Sequence, residues 1–145
     1  MEETDVEADE PPSFEITRPD ERPASRMIKR LCKTDLLSGT VQVLEPGAGN
    51  VMHSHSGQDG FWMVLEGQAR FYGDGDEVVE ELEAHEGVVI PRETKYWFDN
   101  PGDEDLVLLH VAAYSETTQD QAEYYGPRDE LDFAVYDTDE SLLGR

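Results

Sequence analysis

The stretch Gly47-Ala-Gly-Asn-Val-Met-His53-Ser-His55-Ser-Gly-Gln-Asp59-Gly60-Phe-Trp-Met-Val-Leu-Glu-Gly67 sets two histidines one residue apart, ahead of an apolar run that closes on Glu-Gly. Alternate side chains of an extended strand share a face, so His53 and His55 point the same way and their imidazoles can converge on one ion or one substrate atom. A helix would splay them apart.

Outward from this stretch the chain is a series of short apolar segments cut by turn residues. Upstream lie Met27–Leu31 and Thr40–Leu44, the latter closed by Pro46-Gly47. Downstream come Phe61–Leu65, Gln68–Tyr72, a hairpin turn at Gly73-Asp-Gly-Asp76 and a return strand Glu77–Leu82. Val88–Ile90 stops at Pro91, Tyr96–Phe98 turns at Asn100-Pro-Gly-Asp103, and Leu106–Ala112 is the most apolar run of all. Many short strands at regular spacing, with no amphipathic helical period, predict an all-β antiparallel sandwich or barrel. The barrel is expected over residues 26–114, after an acidic and largely disordered lead-in at 1–25. Residues 115–145 carry Tyr124, Tyr125, Leu131, Phe133, Val135 and Tyr136, and are expected to dock on the barrel or on a partner subunit.

At 145 residues the chain holds one hydrophobic core. Its single cysteine, Cys32, excludes an intramolecular disulfide and a thiolate metal cluster, and reads as a small core residue. The acidic start and the lack of any apolar run of membrane-spanning length lead to the expectation of a cytoplasmic protein. A formal net charge of -23 repels phosphate backbones and anionic membrane surfaces, so neither nucleic acid nor membrane is expected as a partner. Acid is spread along the whole length and Lys29, Lys33 and Lys95 are the only lysines, a pattern that reads as halophilic. On that reading, stability falls on dialysis into low salt, as followed by thermal unfolding; a melting curve indifferent to salt excludes it.

The spacing of Gly47, His53-x-His55, Asp59 or Gly60, and Gly67 resembles the first motif of the cupin superfamily: Gly, five residues, His-x-His, three or four residues, Glu, six residues, Gly. The stretch from His85 through Pro91, Glu93 and Tyr96 to Asn100 is similar to the second, which ends in Pro-x-Gly, two residues, His, three residues, Asn. The resemblance implies a double-stranded β-helix, the jelly-roll barrel of the cupins, with the site inside its mouth. It also implies a divalent transition metal (Fe, Mn, Ni or Zn) held by both histidines, the glutamate and the second-motif histidine. This chain keeps His53 and His55 but has Gly60 at the glutamate position and Tyr96 at the third-histidine position.

Three residues are candidates to complete the site. A bulge beside Gly60 would turn Asp59 inward to form a two-histidine, one-carboxylate triad; the alternative is a solvated loop carboxylate. His110, at even spacing from Leu106 and Leu108, shares their face; the alternative is a core histidine satisfied by a local partner. Tyr96 would ligate, or would hydrogen-bond or pass a proton to a bound molecule. Gln58 is a lesser candidate, and His85, in place of a turn glycine, is expected to be exposed. Glycine at the glutamate position also resembles the thiol-dioxygenase branch, in which three histidines hold iron. The resemblance thus implies a metal-dependent enzyme on a small molecule, with a dioxygenase-like oxidoreductase as its sharpest form. The alternatives are a metal-independent sugar isomerase or epimerase using histidine and tyrosine as base and acid, and a non-catalytic small-molecule-binding barrel. Pairing of barrels within the superfamily, with the apolar terminal segments, leads to the expectation of a homodimer.

Overall fold

The computed structural model describes residues 11–127 and 131–136. The acidic first ten residues, most of the acid of the expected lead-in, lie outside them. The described chain is all β, with eleven strands and one short 3₁₀ turn at Asp74–Asp76. In chain order the strands are β1 (Arg26–Lys33), β2 (Leu37–Leu44), β3 (His53–His55), β4 (Gln58–Glu66), β5 (Gln68–Tyr72) and β6 (Val78–Glu83). They continue as β7 (Gly87–Ile90), β8 (Trp97–Asp99), β9 (Leu106–Tyr114), β10 (Ala122–Tyr124) and β11 (Phe133–Val135). These strands build the double-stranded β-helix that the resemblance implied. No helix among the described residues is long and apolar enough to cross a membrane.

A six-stranded sheet in the order β11-β1-β2-β9-β4-β7 faces a three-stranded sheet, β6-β5-β8, while β3 pairs with β10. Antiparallel bridges from His53 to Tyr96 and from Gly49 to Asp99 carry the smaller sheet over toward β3. The interior of the barrel is filled from both sides by Trp62 and Val64 of β4, Phe71 of β5, Phe98 of β8, and Leu106 and Leu108 of β9. Phe71 and Phe98 are fully buried, with ring centroids 5.2 Å apart, as aromatic pairs prefer.

The outer face of the large sheet is apolar as well. There Met27, Leu31, Val41, Val43 and Val107 pack with Ala24 from the N-terminal segment and with Ala134 and Tyr136 from the C-terminal one. Strands covered on both faces read as continuous apolar runs, which is why Leu106–Ala112 shows no alternation. Residues 11–25 form no strand, yet they lie against this sheet. Arg22 Nη2 sits 2.8 Å from Asp105 Oδ2, Arg18 pairs with the same carboxylate, and Lys29 Nζ donates to the Glu15 carbonyl at 2.6 Å. The C-terminal strands are also placed on the barrel, β10 antiparallel to β3 and β11 parallel to β1.

Asn100, where the second motif ends, is 1 % exposed and does structural work. Its Nδ2 donates to the Leu44 and Glu104 carbonyls at 3.0 and 2.7 Å, and its Oδ1 accepts from Gly102 N. A buried side-chain amide with its hydrogen-bonding capacity so fully used pins the turn into β9. His85 is exposed at φ +74°, the left-handed conformation that a turn glycine would take, and its backbone N–H donates to the Val64 carbonyl.

Candidate functional site

One end of the barrel opens into a cavity of about 340 Å³. His53, His55 and His110 line it with Gln58, Trp62 and Tyr96. The two histidines of β3 face it together, as their alternation required, with ring centroids 5.3 Å apart and planes nearly perpendicular.

Each of these rings is fixed by a hydrogen bond on its Nδ1 side. His53 Nδ1–H donates to the Val51 carbonyl at 2.9 Å, which fixes that tautomer and leaves Nε2 as the lone-pair nitrogen. His55 Nδ1 lies 3.1 Å from Asp120 Oδ2, a carboxylate–histidine pair that likewise leaves Nε2 free. Partners of this kind, which fix tautomer and ring orientation, are what metal-ligating histidines have. Asp120 is itself held, because its Oδ1 accepts the Gly57 backbone N–H at 3.0 Å and the neighbouring Gln121 N–H donates to Ser56 Oγ. Gly57 has to be glycine for this approach, since a Cβ there would stand 2.5 Å from the Thr118 carbonyl oxygen and 2.7 Å from Asp120 N.

His110 reaches the cavity from β9, on the face it shares with Leu106 and Leu108. It sits directly opposite Trp62 in the ladder, and the two rings stack at 4.0 Å. Burial lowers its pKa from 6.5 to about 3 and that of His53 to about 4; the His55 ring opposes protonation of both. Both imidazoles are therefore neutral at pH 7 with lone pairs available, and the three rings lie in one another's field. A Cβ on Gly60 would stand 3.0 Å from His110 Nε2. The imidazole of β9 thus fills the space into which a glutamate at position 60 would project.

Asp59 is not part of this cluster. The ladder between β4 and β9 runs without interruption from Gln58 to Val64, and the bulge falls at Leu65 instead of beside Gly60. Asp59 accordingly stays on the outer face, half exposed, where it accepts the Arg92 backbone N–H at 2.8 Å and lies 3.6 Å from Arg92 Nε. Gln58, two residues before Gly60 on the same face, lines the cavity and is buried. Tyr96 lies beside His53, 4.6 Å between centroids, rather than across the cavity from it. Its hydroxyl accepts from Trp62 Nε1–H at 3.2 Å, and burial raises its pKa well above the ordinary phenol value. Among the described residues, no group of three or more His, Cys, Asp and Glu side chains is gathered closely enough to hold a metal ion.

Asp120, Arg26 and Tyr124 were not foreseen as site residues. Tyr124 stacks on His53 at 5.6 Å from β10, and no spacing rule links either it or Asp120 to a motif some sixty-five residues earlier. Arg26 enters from β1, where Arg26, Ile28 and Arg30 face the cavity while Met27 and Leu31 face outward.

A cupin-domain family matches residues 40–112, which takes in both motifs, the strands between them and His110. No curated protein matches the chain. Among solved structures, an uncharacterized protein with a double-stranded β-helix domain from Klebsiella pneumoniae superposes with a TM-score of 0.59 at 18% identity, over 68% of this chain and 82% of its own. KdgF from Halomonas sp. gives 0.56 at 19% identity, over 64% and 82%. A sugar phosphate isomerase of the cupin superfamily from Silicibacter pomeroyi gives 0.55 at 26% identity, over 64% of this chain and 59% of that one.

Proposed function

The chain belongs to the cupin family, and on that premise we propose that its cavity is a metal-dependent site for a small molecule, in which His53 and His55 bind a divalent ion through Nε2. His110 lines the same cavity, but its ring would have to turn toward them to supply a third nitrogen, since the described side chains do not bring three such donors together. The observation that carries this reading is the commitment of both β3 histidines on their Nδ1 side, to Val51 and Asp120. Two free Nε2 lone pairs on one strand face fit a transition-metal ion, and no carboxylate of the described residues lines the cavity to compete with an all-imidazole set. When bound, the ion supplies Lewis acidity and open positions at which substrate or dioxygen is activated.

The chain's own residues divide the remaining work. Asp120 orients His55, and the Trp62 ring holds His110 in plane. Tyr96, whose raised pKa keeps the phenol protonated, is a hydrogen-bond donor to bound substrate and a poor source of phenolate. An oxygen-dependent reaction is the form of the activity to test first.

A metal-free isomerase reaction is the second reading, supported by the similarity to the Silicibacter pomeroyi sugar phosphate isomerase. A histidine with its pKa lowered to about 4 is a weak base, and a phenol with its pKa raised is a weak acid, which ranks this reading below the first. Pairing of two copies would rest on exposed apolar surface such as Phe61 and Val89, which lie opposite each other on β4 and β7.

Elemental analysis of protein dialysed against Fe, Mn, Ni and Zn separates the readings. One ion per chain is expected, lost in His55→Ala and bound about 10- to 100-fold more weakly in Asp120→Ala, where only the orienting partner is removed. Protein that takes up none of the four ions removes the metal reading. Unchanged turnover in Tyr96→Phe removes the acid role on which the isomerase reading depends.

A further inference from the structure

The chain carries 34 Asp and Glu against 11 Lys and Arg, yet among the described residues no Asp or Glu lines the cavity, and two arginines do. The cavity is a cationic pocket in a strongly anionic protein. Arg26 is the more unusual of the pair, because it is only 7% exposed and has no carboxylate partner among the described residues. Its Nη1 donates to Gln42 Oε1 at 3.1 Å, and its Nε is buried without any hydrogen-bond partner. The Phe133 ring covers the guanidinium, 5.1 Å from Cζ, and supplies cation–π contact but no counter-charge.

A buried cation with an unsatisfied donor is strongly unfavourable unless something compensates it. In a chain so rich in acid, a carboxylate partner from the protein itself would be the easiest remedy. We propose that the compensating group is the substrate, and that Arg26 is the anchor for a small monoanionic carboxylate bound in this cavity.

With Nη1 held by Gln42, the edge of the guanidinium without a protein partner is the one that carries Nε and Nη2, and because Nε is closed to solvent a carboxylate reaches it only as the pocket wall shifts aside. Two parallel N–H donors on a planar edge match the two oxygens of a carboxylate. One buried positive charge balances one negative charge, which favours a carboxylate over a phosphate dianion. Arg30, exposed on the same strand face, draws anions toward the opening against the repulsion of the surrounding surface. The inference rests on the reading of the cavity as the substrate site, but it does not require the ion.

The test is a titration of ¹⁵N-labelled, chelator-treated protein with propionate, with its neutral amide propionamide and with inorganic phosphate. The Arg26 Nε–Hε and Trp62 Nε1–H signals are the reporters. Propionate is expected to move both signals saturably, propionamide neither, and phosphate with an affinity at least about tenfold weaker. In Arg26→Lys the propionate response at Trp62 is expected to weaken about tenfold or more, while Arg30→Gln, which leaves the buried anchor in place, keeps a saturable response. Equal responses to propionate and propionamide, tighter binding of phosphate, or no movement of Arg26 Nε–Hε in the wild type overturns the proposal, whether or not Arg26→Lys folds. Because the ion has been removed and its binding is measured separately, failure here is distinct from failure of the metal reading.

Discussion

Lowering the pH from 7 to 5 is expected to take about 4 kcal/mol from the stability of the metal-free protein. In the unfolded chain, His53 and His110 bind protons near pH 6.5, whereas in the fold burial lowers them to about 4 and about 3. Folded pKa values below the unfolded ones mean that the unfolded state holds more protons throughout this interval, so stability falls as acid is added. The contribution is fully present above about pH 6.5. It declines by about 1.4 kcal/mol per pH unit for each ring, and the decline ends near pH 4 for His53 and near pH 3 for His110. By pH 5 each ring has lost about 2 kcal/mol. Urea unfolding of chelator-treated protein at the two pH values measures it, and His110→Gln is expected to remove about half. A midpoint that stays constant between pH 7 and 5 would show that these rings are not held neutral.

Trp62→Ala is expected to cost about 3–5 kcal/mol, the range for removing a buried aromatic ring. The indole touches both the core and the site. It packs 4.7 Å from Phe98 in the barrel interior, stacks 4.0 Å from His110, and gives Nε1–H to the Tyr96 hydroxyl. Its loss therefore opens a cavity and frees two site residues at once. Trp62→Phe keeps one six-membered ring but loses the donor and part of the buried indole volume, so it is expected to cost less, about 1–3 kcal/mol. Urea midpoints of the two variants give both values. A loss below about 1 kcal/mol in Trp62→Ala would mean that the indole is not the support described here.

The barrel was legible because each strand carries its own evidence. Gln68–Tyr72 was read with the bounds it has, since Glu-Gly before it and Gly-Asp-Gly after it leave no other place for the turns. His53, His55 and His110 were assigned faces by alternation alone, and alternation is a local property. Asp59 failed where the reading depended on the position of a bulge, and that is decided by the ladder with β9 rather than by the glycine beside it. Asp120 was out of reach because its meeting with His55 depends on how the chain after β9 folds back over the β3–β4 turn. Arg26 was hidden for another reason. Alternation along Arg-Met-Ile-Lys-Arg-Leu puts a basic residue on both faces of β1, so no simple polar face marks the inside. The short strands β10 and β11 carry too few residues to show a period at all.

The narrow gap between Gly60 and His110 bears on the ancestry of such sites. A carboxylate on β4 and an imidazole on β9 compete for one volume, so a lineage exchanging one donor for the other must first shrink the incumbent.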